Sequence, residues 1–274
     1  MRETTEQPLD EKVALITGAA GAIGYGICEV LLENGCTIVA TDLAGERLDA
    51  FIRDLDEIVP GKSTGIPLDV TDPDSTSKAF AAAFETYGKL DMVIHNAGIA
   101  HVSKIVEMDL ERFQMLEKVN VDGTLIVLAE AGRRLIEQGT GGDIVIMSTK
   151  NVPSPSAGFG AYSCTKAACH QLGRIASLEF AEYDIRVNMV APDAVFSEGK
   201  YKSGLWELVG ENRMKARGIS EDELHEYYRN RNLLKAAVTG RHVANAVLFF
   251  VTRQTPTTGG TIPVDGGLPD ATPR

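Results

Sequence analysis

The sequence has no long apolar segment and few cysteines, and each shortage argues against a class of protein. No uninterrupted apolar run approaches the ~20 residues that span a bilayer. The first twelve residues, MRETTEQPLDEK, contain no apolar region of the secretory type. The four cysteines are not spaced as CxxC, so we predict buried thiols in a reducing compartment rather than disulfides or a zinc site. The expected location is the cytoplasm.

The sequence also contains fewer basic than acidic residues. The chain carries 27 Lys and Arg against 38 Asp and Glu, a formal net charge of −11. Because nucleic-acid binders usually carry a basic footprint and anionic membranes attract basic segments, both partners are unexpected. The histidines are scattered and the carboxylates form no cluster, so no metal is expected. We predict a small-molecule ligand for a single domain over residues 1–274, since no linker divides the chain.

Short apolar segments alternate with helical patterns along the chain. Residues 12–17 precede a glycine-rich turn, a helix that ends at Asn34 and Gly35, and a second strand at 37–41, which is the order of a βαβ unit. Further strands are predicted at 64–68, 90–95, 143–147, 186–190 and 261–264, and further helices at 46–59, 74–87, 110–138, 161–183 and 241–251. Near-continuous apolar strands between helices favour an α/β fold: a Rossmann-type, doubly wound parallel sheet covered on both faces.

One segment interrupts this alternation. Residues 192–233 carry charges of both signs and the single tryptophan, Trp206. A stretch of this length between a strand and a helix is usually functional when it is ordered. We predict a substrate lid at about 196–236, with short helices near 205–217 and 221–230.

The glycine-rich turn predicts a dinucleotide site. Gly18, Gly21 and Gly24 lie between a strand and a helix N-terminus, where backbone N–H groups and the helix dipole favour a pyrophosphate. Asp42 ends the second strand, where a carboxylate accepts hydrogen bonds from the adenosine ribose. The same carboxylate repels a 2′-phosphate, and no basic residue follows it before Arg47. The sequence therefore predicts NAD rather than NADP.

These features together resemble the classical short-chain dehydrogenase/reductase family over about residues 12–267. TGAAGAIG at 17–24 looks like the family's cofactor turn, with Ala22 at the usual middle glycine, and Asp193 stands where the family usually has glycine. The resemblance implies an active-site asparagine at Asn120. It also implies cofactor contacts at Gly18, Gly21, Ile23, Gly24, Asp42, Asp69, Val70, Asn96, Gly98, Tyr162, Lys166, Val195 and Ser197.

The YxxxK pair of the family matches Tyr162 and Lys166, which share a face at i and i+4 of a helix. A neighbouring ammonium favours the phenolate, so Tyr162 is expected to take the proton of an alcohol. The family's catalytic serine lies 13 residues before the tyrosine, which is Thr149 here. Ser148 remains the alternative, because a bulge or a different loop length would move the hydroxyl by one residue.

The resemblance implies an NAD-dependent oxidoreductase that transfers hydride between the cofactor and a secondary alcohol or carbonyl of a sugar, polyol or small hydroxy compound. The segments STKN at 148–151, PDAVF at 192–196 and YYRNRNLLK at 227–235 are similar to the dehydrogenase half of bifunctional rhamnulose-phosphate aldolase/short-chain dehydrogenase proteins. A broad carbonyl reductase and a non-catalytic dinucleotide sensor are the alternatives. The family also implies a homo-oligomer.

Basic residues near the predicted active site suggest the charge of the substrate. Lys150 follows the predicted catalytic hydroxyl, and the lid carries Arg213, Arg229 and Arg231. These side chains predict an anionic group on the substrate, bound by charge-assisted hydrogen bonds. Alternatively, the arginines pair with lid glutamates.

Overall fold

The computed structural model describes residues 7–197, 199–201, 203, 210, 214 and 218–268. The strands of this part of the chain are β1 (Val13–Thr17), β2 (Thr37–Asp42), β3 (Ser63–Pro67), β4 (Met92–His95), β5 (Gly142–Met147), β6 (Ile185–Pro192) and β7 (Thr261–Val264). All neighbouring strands run parallel, in the order β3-β2-β1-β4-β5-β6-β7. The predicted doubly wound Rossmann-type sheet is confirmed.

The helices of the described residues are α1 (Ala22–Glu33), α2 (Glu46–Ile58), α3 (Pro73–Tyr87), α4 (Leu110–Leu116), α5 (Gly123–Gln138), α6 (Gly160–Glu179), α7 (Glu221–Arg231) and α8 (Gly240–Val251). The predicted helix at 110–138 contains a π-helical turn, Glu117–Asp122. The helix predicted to reach residue 183 ends at Glu179, and a 3-10 turn follows at Ala181–Tyr183. Most of the predicted helix at 205–217, with Trp206, lies outside the described residues.

The side chains of β1 supply both cores. Ala14 and Ile16 are fully buried on the face that α1 and α8 cover. Val13 and Leu15 point to the opposite face, into a second core with α3 and α5. Because successive side chains of a strand point to opposite faces, a continuous apolar strand needs helices on both sides of the sheet. Within the described residues, no helix has the length and apolar character needed to cross a bilayer.

The parallel arrangement brings the carboxyl ends of the strands to one edge. The chain winds outward from β1 through β2 to β3 and then returns to place β4 on the other side of β1. Such a reversal opens a crevice above the carboxyl ends of β1 and β4, where ligands bind in open α/β sheets. The strands that meet this edge end at Thr17, Asp42, His95, Met147 and Pro192.

The opposite edge of the sheet holds a buried ionic cluster. The Asp143 carboxylate accepts hydrogen bonds from Nε of Arg186 and from Nε of Arg253, both at 2.8 Å. The cluster joins β5 to β6 and to the turn after α8. It lies away from the crevice, so its role is to hold the sheet together.

The cysteines are all free, as predicted, but their burial differs. Cys28, Cys36 and Cys169 are buried, whereas Cys164 is exposed. The prediction of burial is therefore wrong for Cys164. It lies on the face of α6 that points away from the sheet, while Lys166 and Cys169 on the same helix point inward.

Candidate active site

A cavity of about 800 Å³ opens above the carboxyl ends of β1 and β4. This volume is within the range of small-molecule sites. Most of the residues assigned from the sequence line it: Gly18, Gly21, Ile23, Asp42, Asp69, Val70, Asn96, Gly98, Thr149, Tyr162, Lys166 and Val195. Gly24 and Asn120 pack behind this lining, and Ser197 is exposed with its hydroxyl accepting the N–H of Ser203 at 2.8 Å.

The glycine-rich turn depends on residues without a side chain. Gly18 has φ +60°, and a Cβ on it would lie 2.8 Å from Cα of Ala97. A Cβ on Gly24 would lie 2.3 Å from the carbonyl oxygen of Ala19. Any larger residue would push the turn away from β4 or from α1.

The N-terminus of α1 faces the cavity. Gly21 is the N-cap, so no side chain competes for the first N–H groups, and the first turn contains no acidic residue. Ala22 and Ile23 begin the helix at the cavity wall. Unpaired N–H groups and the positive end of the helix dipole therefore remain for an anionic ligand group.

At one end of the cavity, a carboxylate and a guanidinium bond to the same residue, Ala20. Asp42 accepts hydrogen bonds from the N–H of Ala20 at 3.1 Å and of Leu43 at 2.9 Å. Nη2 of Arg47 donates to the carbonyl oxygen of Ala20 at 2.7 Å, and Arg47 lines the same cavity. Arg47 was not among the site residues predicted from the sequence. Its position at the start of α2, close after Asp42, was the available signal.

Asn96 ties the glycine turn to β4. Its Nδ2 donates to the carbonyl oxygen of Gly18 at 2.7 Å, and the Thr17 hydroxyl accepts the N–H groups of Asn96 and Ala97, each at 3.1 Å. These bonds hold the end of β1 against the end of β4. The turn therefore has one position relative to the rest of the crevice.

A buried histidine extends this connection toward the predicted catalytic residues. Nδ1 of His95 lies 3.1 Å from the Thr17 hydroxyl, and Nε2 lies 3.0 Å from the Thr124 hydroxyl. Thr124 in turn donates to the carbonyl oxygen of Asn120. Burial, and secondarily the charge of Lys166, lowers the pKa of His95 to about 3. His95 is therefore neutral at pH 7 and links the two regions by hydrogen bonds.

Asn120 lies on the π-helical turn Glu117–Asp122 and is fully buried. Its Oδ1 accepts the N–H of Ile99 at 2.9 Å, and its Nδ2 donates to the carbonyl oxygen of Ile99 at 2.9 Å and to the Thr165 hydroxyl at 3.0 Å. Asn120 thus joins the loop after β4 to α6. Single π-helical turns are frequent at functional sites.

Tyr162 and Lys166 both line the cavity from α6. Nζ of Lys166 donates to the carbonyl oxygen of Met147 at 2.9 Å. A Cβ on Gly98 would lie 3.0 Å from this Nζ, so glycine at this position leaves room for the ammonium. The helical spacing brings the phenol and the ammonium to the same face of α6.

The two candidate hydroxyls differ in their surroundings. Ser148 is hydrogen-bonded to His170, a residue that the sequence analysis left unassigned. The Thr149 hydroxyl makes longer contacts, 3.5 Å to the carbonyl oxygen of Pro192 and 3.3 Å to the N–H of Asn151. Both residues are buried and line the cavity.

Comparison with known proteins assigns the family. The short chain dehydrogenase family model matches residues 12–207. This chain is a short-chain dehydrogenase. It is therefore an oxidoreductase of a family that uses a nicotinamide cofactor.

Relatives and solved structures agree with this assignment. The dehydrogenase is 34% identical to the uncharacterized oxidoreductase YuxG of Bacillus subtilis over 98% of its own length, and it spans 39% of the length of YuxG. It is 34% identical to the sorbitol dehydrogenase of Cereibacter sphaeroides over 69% of this chain and 73% of that enzyme. The structure of sorbitol-6-phosphate 2-dehydrogenase SrlD from Erwinia amylovora superposes with a TM-score of 0.85 at 25% identity, covering 93% of this chain and 98% of that one.

The residues of the dehydrogenase fit a dinucleotide cofactor. The turn leaves no space for a Cβ at Gly18 or Gly24, and the first N–H groups of α1 face the cavity. Asp69 and Val70 line the wall between the turn and the π-helical segment. A search of the described residues finds no group of three His, Cys, Asp or Glu residues that would hold a metal.

The basic residues near the substrate end have different partners. Arg231 pairs with Asp193, and both line the cavity. Arg229 pairs with Glu226 at 3.2 Å on the exposed face of α7. This agrees with the alternative prediction that the lid arginines pair with lid glutamates. Nζ of Lys150 is buried and donates to the Ser156 hydroxyl at 2.7 Å. The predicted site residue Arg213 lies outside the described part of the chain.

Proposed function

We propose that this dehydrogenase oxidises a secondary alcohol of a polyol or sugar-like compound with NAD. The observation that carries the proposal is the meeting of Thr149, Tyr162 and Lys166 in one cavity with the glycine turn. The phenol, the ammonium and the hydroxyl are the groups needed to move a proton at a carbinol oxygen.

In this proposal each residue of the site has one role. The bound nicotinamide supplies the hydride acceptor. Tyr162 takes the proton from the substrate hydroxyl, and the nearby ammonium of Lys166, held by the Met147 carbonyl, favours the phenolate. Thr149 orients the substrate oxygen and stabilises its developing charge. Asn120 keeps the loop after β4 in register with α6.

The choice of NAD rests on Asp42. Its carboxylate lies at the cavity end where the adenosine ribose would bind, and it repels a 2′-phosphate. Arg47 reaches the same end, but its guanidinium is engaged with the Ala20 carbonyl. The presence of this guanidinium at the ribose end of the cavity favours the second candidate function, a carbonyl reductase that works with NADPH.

The polyol substrate is supported by a relative and by a structural neighbour. The sorbitol dehydrogenase and sorbitol-6-phosphate 2-dehydrogenase act, by their names, on polyols or polyol phosphates.

The proposal also includes a single domain with a substrate lid at about 196–236, because α7 and the end of β6 border the cavity. It further includes a homo-oligomer, for which the exposed apolar residues Leu125, Ile175 and Leu178 on α5 and α6 offer a surface.

A substrate panel tests the proposal. Sugars, polyols, hydroxyaldehydes and simple ketones are supplied with each cofactor, and the absorbance of the reduced nicotinamide is followed. We expect the highest kcat/KM for oxidation of a polyol with NAD. Faster reduction of ketones with NADPH would establish the reductase instead. Cofactor binding without turnover of any compound would support the non-catalytic sensor.

A further inference from the structure

An ion pair joins two residues that line the cavity. Asp193 directly follows β6, and its carboxylate accepts a hydrogen bond from Nη2 of Arg231. The two side chains are 10% and 21% exposed, and both line the cavity. Both residues therefore border the space in which a substrate would lie.

We propose that Asp193 and Arg231 together bind a second hydroxyl of the substrate, so that the enzyme selects neutral vicinal diols and polyols over mono-alcohols and over anions. This inference rests on the proposed function and identifies the residues that recognise the substrate. It concerns neither the cofactor nor the residues that move the proton.

The position of the pair suits this role. Asp193 directly follows β6, and its N–H donates to the carbonyl oxygen of Val264 at 3.1 Å. Arg231 is the last residue of α7, and its guanidinium lies 4.7 Å from the ring centre of Tyr228. The pair therefore lies where the lid helix meets the carboxyl edge of the sheet, on the same side of the cavity as Val195.

The pair has hydrogen-bonding capacity left over. Nη2 of Arg231 and Oδ2 of Asp193 bond to each other, which leaves Nη1 and Oδ1 without a hydrogen bond to the described residues. These atoms belong to side chains that line the cavity, so a ligand oxygen can meet them there. A hydroxyl accepts from one group and donates to another, so it complements a guanidinium beside a carboxylate.

The charges of the pair argue against an anion at this point. From the sequence alone, Arg231 was expected to attract a negative group on the substrate. Because Asp193 neutralises Arg231, a carboxylate or phosphate that approached the guanidinium would also approach a carboxylate. A neutral hydroxyl meets no such repulsion.

A series of compounds with matched carbon skeletons tests the inference. The series is sec-butanol, 1,2-butanediol and α-hydroxybutyrate, which place a methyl, a hydroxymethyl or a carboxylate group beside the reacting carbinol. Two quantities are measured for each compound: kcat/KM for oxidation, and the dissociation constant from the enzyme loaded with the reduced cofactor, followed by nicotinamide fluorescence. In the wild type we expect the diol to lead both other compounds by about tenfold or more in both quantities.

Two substitutions remove the pair in different ways. Arg231→Lys keeps the positive charge but loses the planar guanidinium with its second terminal nitrogen, and Asp193→Asn keeps an acceptor but loses the negative charge. We expect each to reduce the advantage of the diol over sec-butanol by about tenfold. Arg229→Lys is the matched control on the same helix, where an exposed arginine pairs with Glu226, and it should keep the wild-type ratio.

The outcomes separate this inference from the proposed function. A wild-type enzyme that favours α-hydroxybutyrate, or a diol advantage that persists in both variants, overturns the inference even if alcohols are oxidised. A wild type that oxidises none of these compounds and none of the polyols of the substrate panel contradicts the proposed function. The binding constants then still decide whether the pair prefers the diol.

Discussion

The hydroxyl of Ser148 lies 2.9 Å from Nδ1 of His170. His170 is one helical turn beyond Lys166 on α6, and Lys166 holds the carbonyl oxygen of Met147, the residue before Ser148. Successive turns of α6 thus hold successive residues at the end of β5. Because alternate side chains of extended backbone point in opposite directions, this arrangement directs Ser148 to α6 and leaves the Thr149 hydroxyl with only long contacts.

The arrangement predicts the order of two substitutions. Thr149→Val should lower kcat by about a hundredfold, since it removes the hydroxyl that stabilises the charge on the substrate oxygen. Ser148→Ala should cost only a few-fold, because Ser148 bonds to His170 rather than to the substrate. Steady-state kinetics on the best substrate measures both values. If Ser148→Ala is the more damaging change, the catalytic hydroxyl belongs to Ser148.

Tyr162→Phe should separate binding from chemistry. The phenol moves a proton in the proposed reaction, so its removal should lower kcat by ~10²–10⁴-fold while the dissociation constant of the cofactor changes little. Lys166→Ala should impair both, because the ammonium lines the cofactor cavity as well as supporting the phenolate. Cofactor titration by fluorescence and turnover assays are run in parallel. Full turnover by Tyr162→Phe would remove Tyr162 from the mechanism.

Asp42 and Arg47 should have opposite effects on the choice of cofactor. Asp42→Ala removes a negative charge next to the expected 2′-phosphate, so the affinity for NADP should rise by about tenfold while that for NAD falls. Adding Arg47→Ala to this variant should cancel much of the gain, because the remaining guanidinium would otherwise attract the phosphate. Calorimetric titration of the wild type and of both variants with each cofactor gives the six affinities. Equal wild-type affinities for NAD and NADP would contradict the role given to Asp42.

His95 should make the protein sensitive to acid. Burial lowers the pKa of His95 to about 3, whereas the unfolded chain binds the proton near the ordinary value of 6.5. Between these values the unfolded state binds more protons, so the stability of the folded state falls as the pH falls from about 7 toward 4. His95→Gln should be less stable than the wild type at pH 7, and this difference should shrink as the pH falls. Urea unfolding at several pH values measures it, with His101→Gln as the control.

The ionic cluster around Asp143, at the edge of the sheet opposite the cavity, should affect the stability of the protein but not its activity. Arg186→Ala removes two hydrogen bonds to the buried Asp143 carboxylate, which should lower the free energy of unfolding by about 2 kcal/mol. The kcat/KM should stay near the wild-type value, because the cluster lies away from the cavity. Arg133→Ala removes an exposed arginine from its pair with the buried Glu130, whose carboxylate keeps its bond to Arg134, so it should cost less than about 1 kcal/mol. A loss of activity by folded Arg186→Ala would contradict the separation of the two edges.

Local pattern predicted most of the fold. The alternation of apolar strands and helices identified every strand of the described residues, with ends that shift by one or two positions. The π-helical turn around Asn120 was not predicted, because the spacing of apolar residues over 110–138 is typical of one regular helix. The exposure of Cys164 was also missed, since a thiol alone does not indicate which face of a helix the sheet covers.

The sequence by itself determined the order of the elements, the glycine turn, the acid at the end of β2 and the shared helical face of Tyr162 and Lys166. Each of these depends on backbone conformation or on a helical or strand period, which neighbouring residues set. Only the tertiary structure decided that Arg47 shares the cavity with Asp42, that His170 holds Ser148, and that Arg231 pairs with Asp193. These contacts join residues on different elements, and their distances depend on how helices pack against the sheet rather than on spacing along the chain.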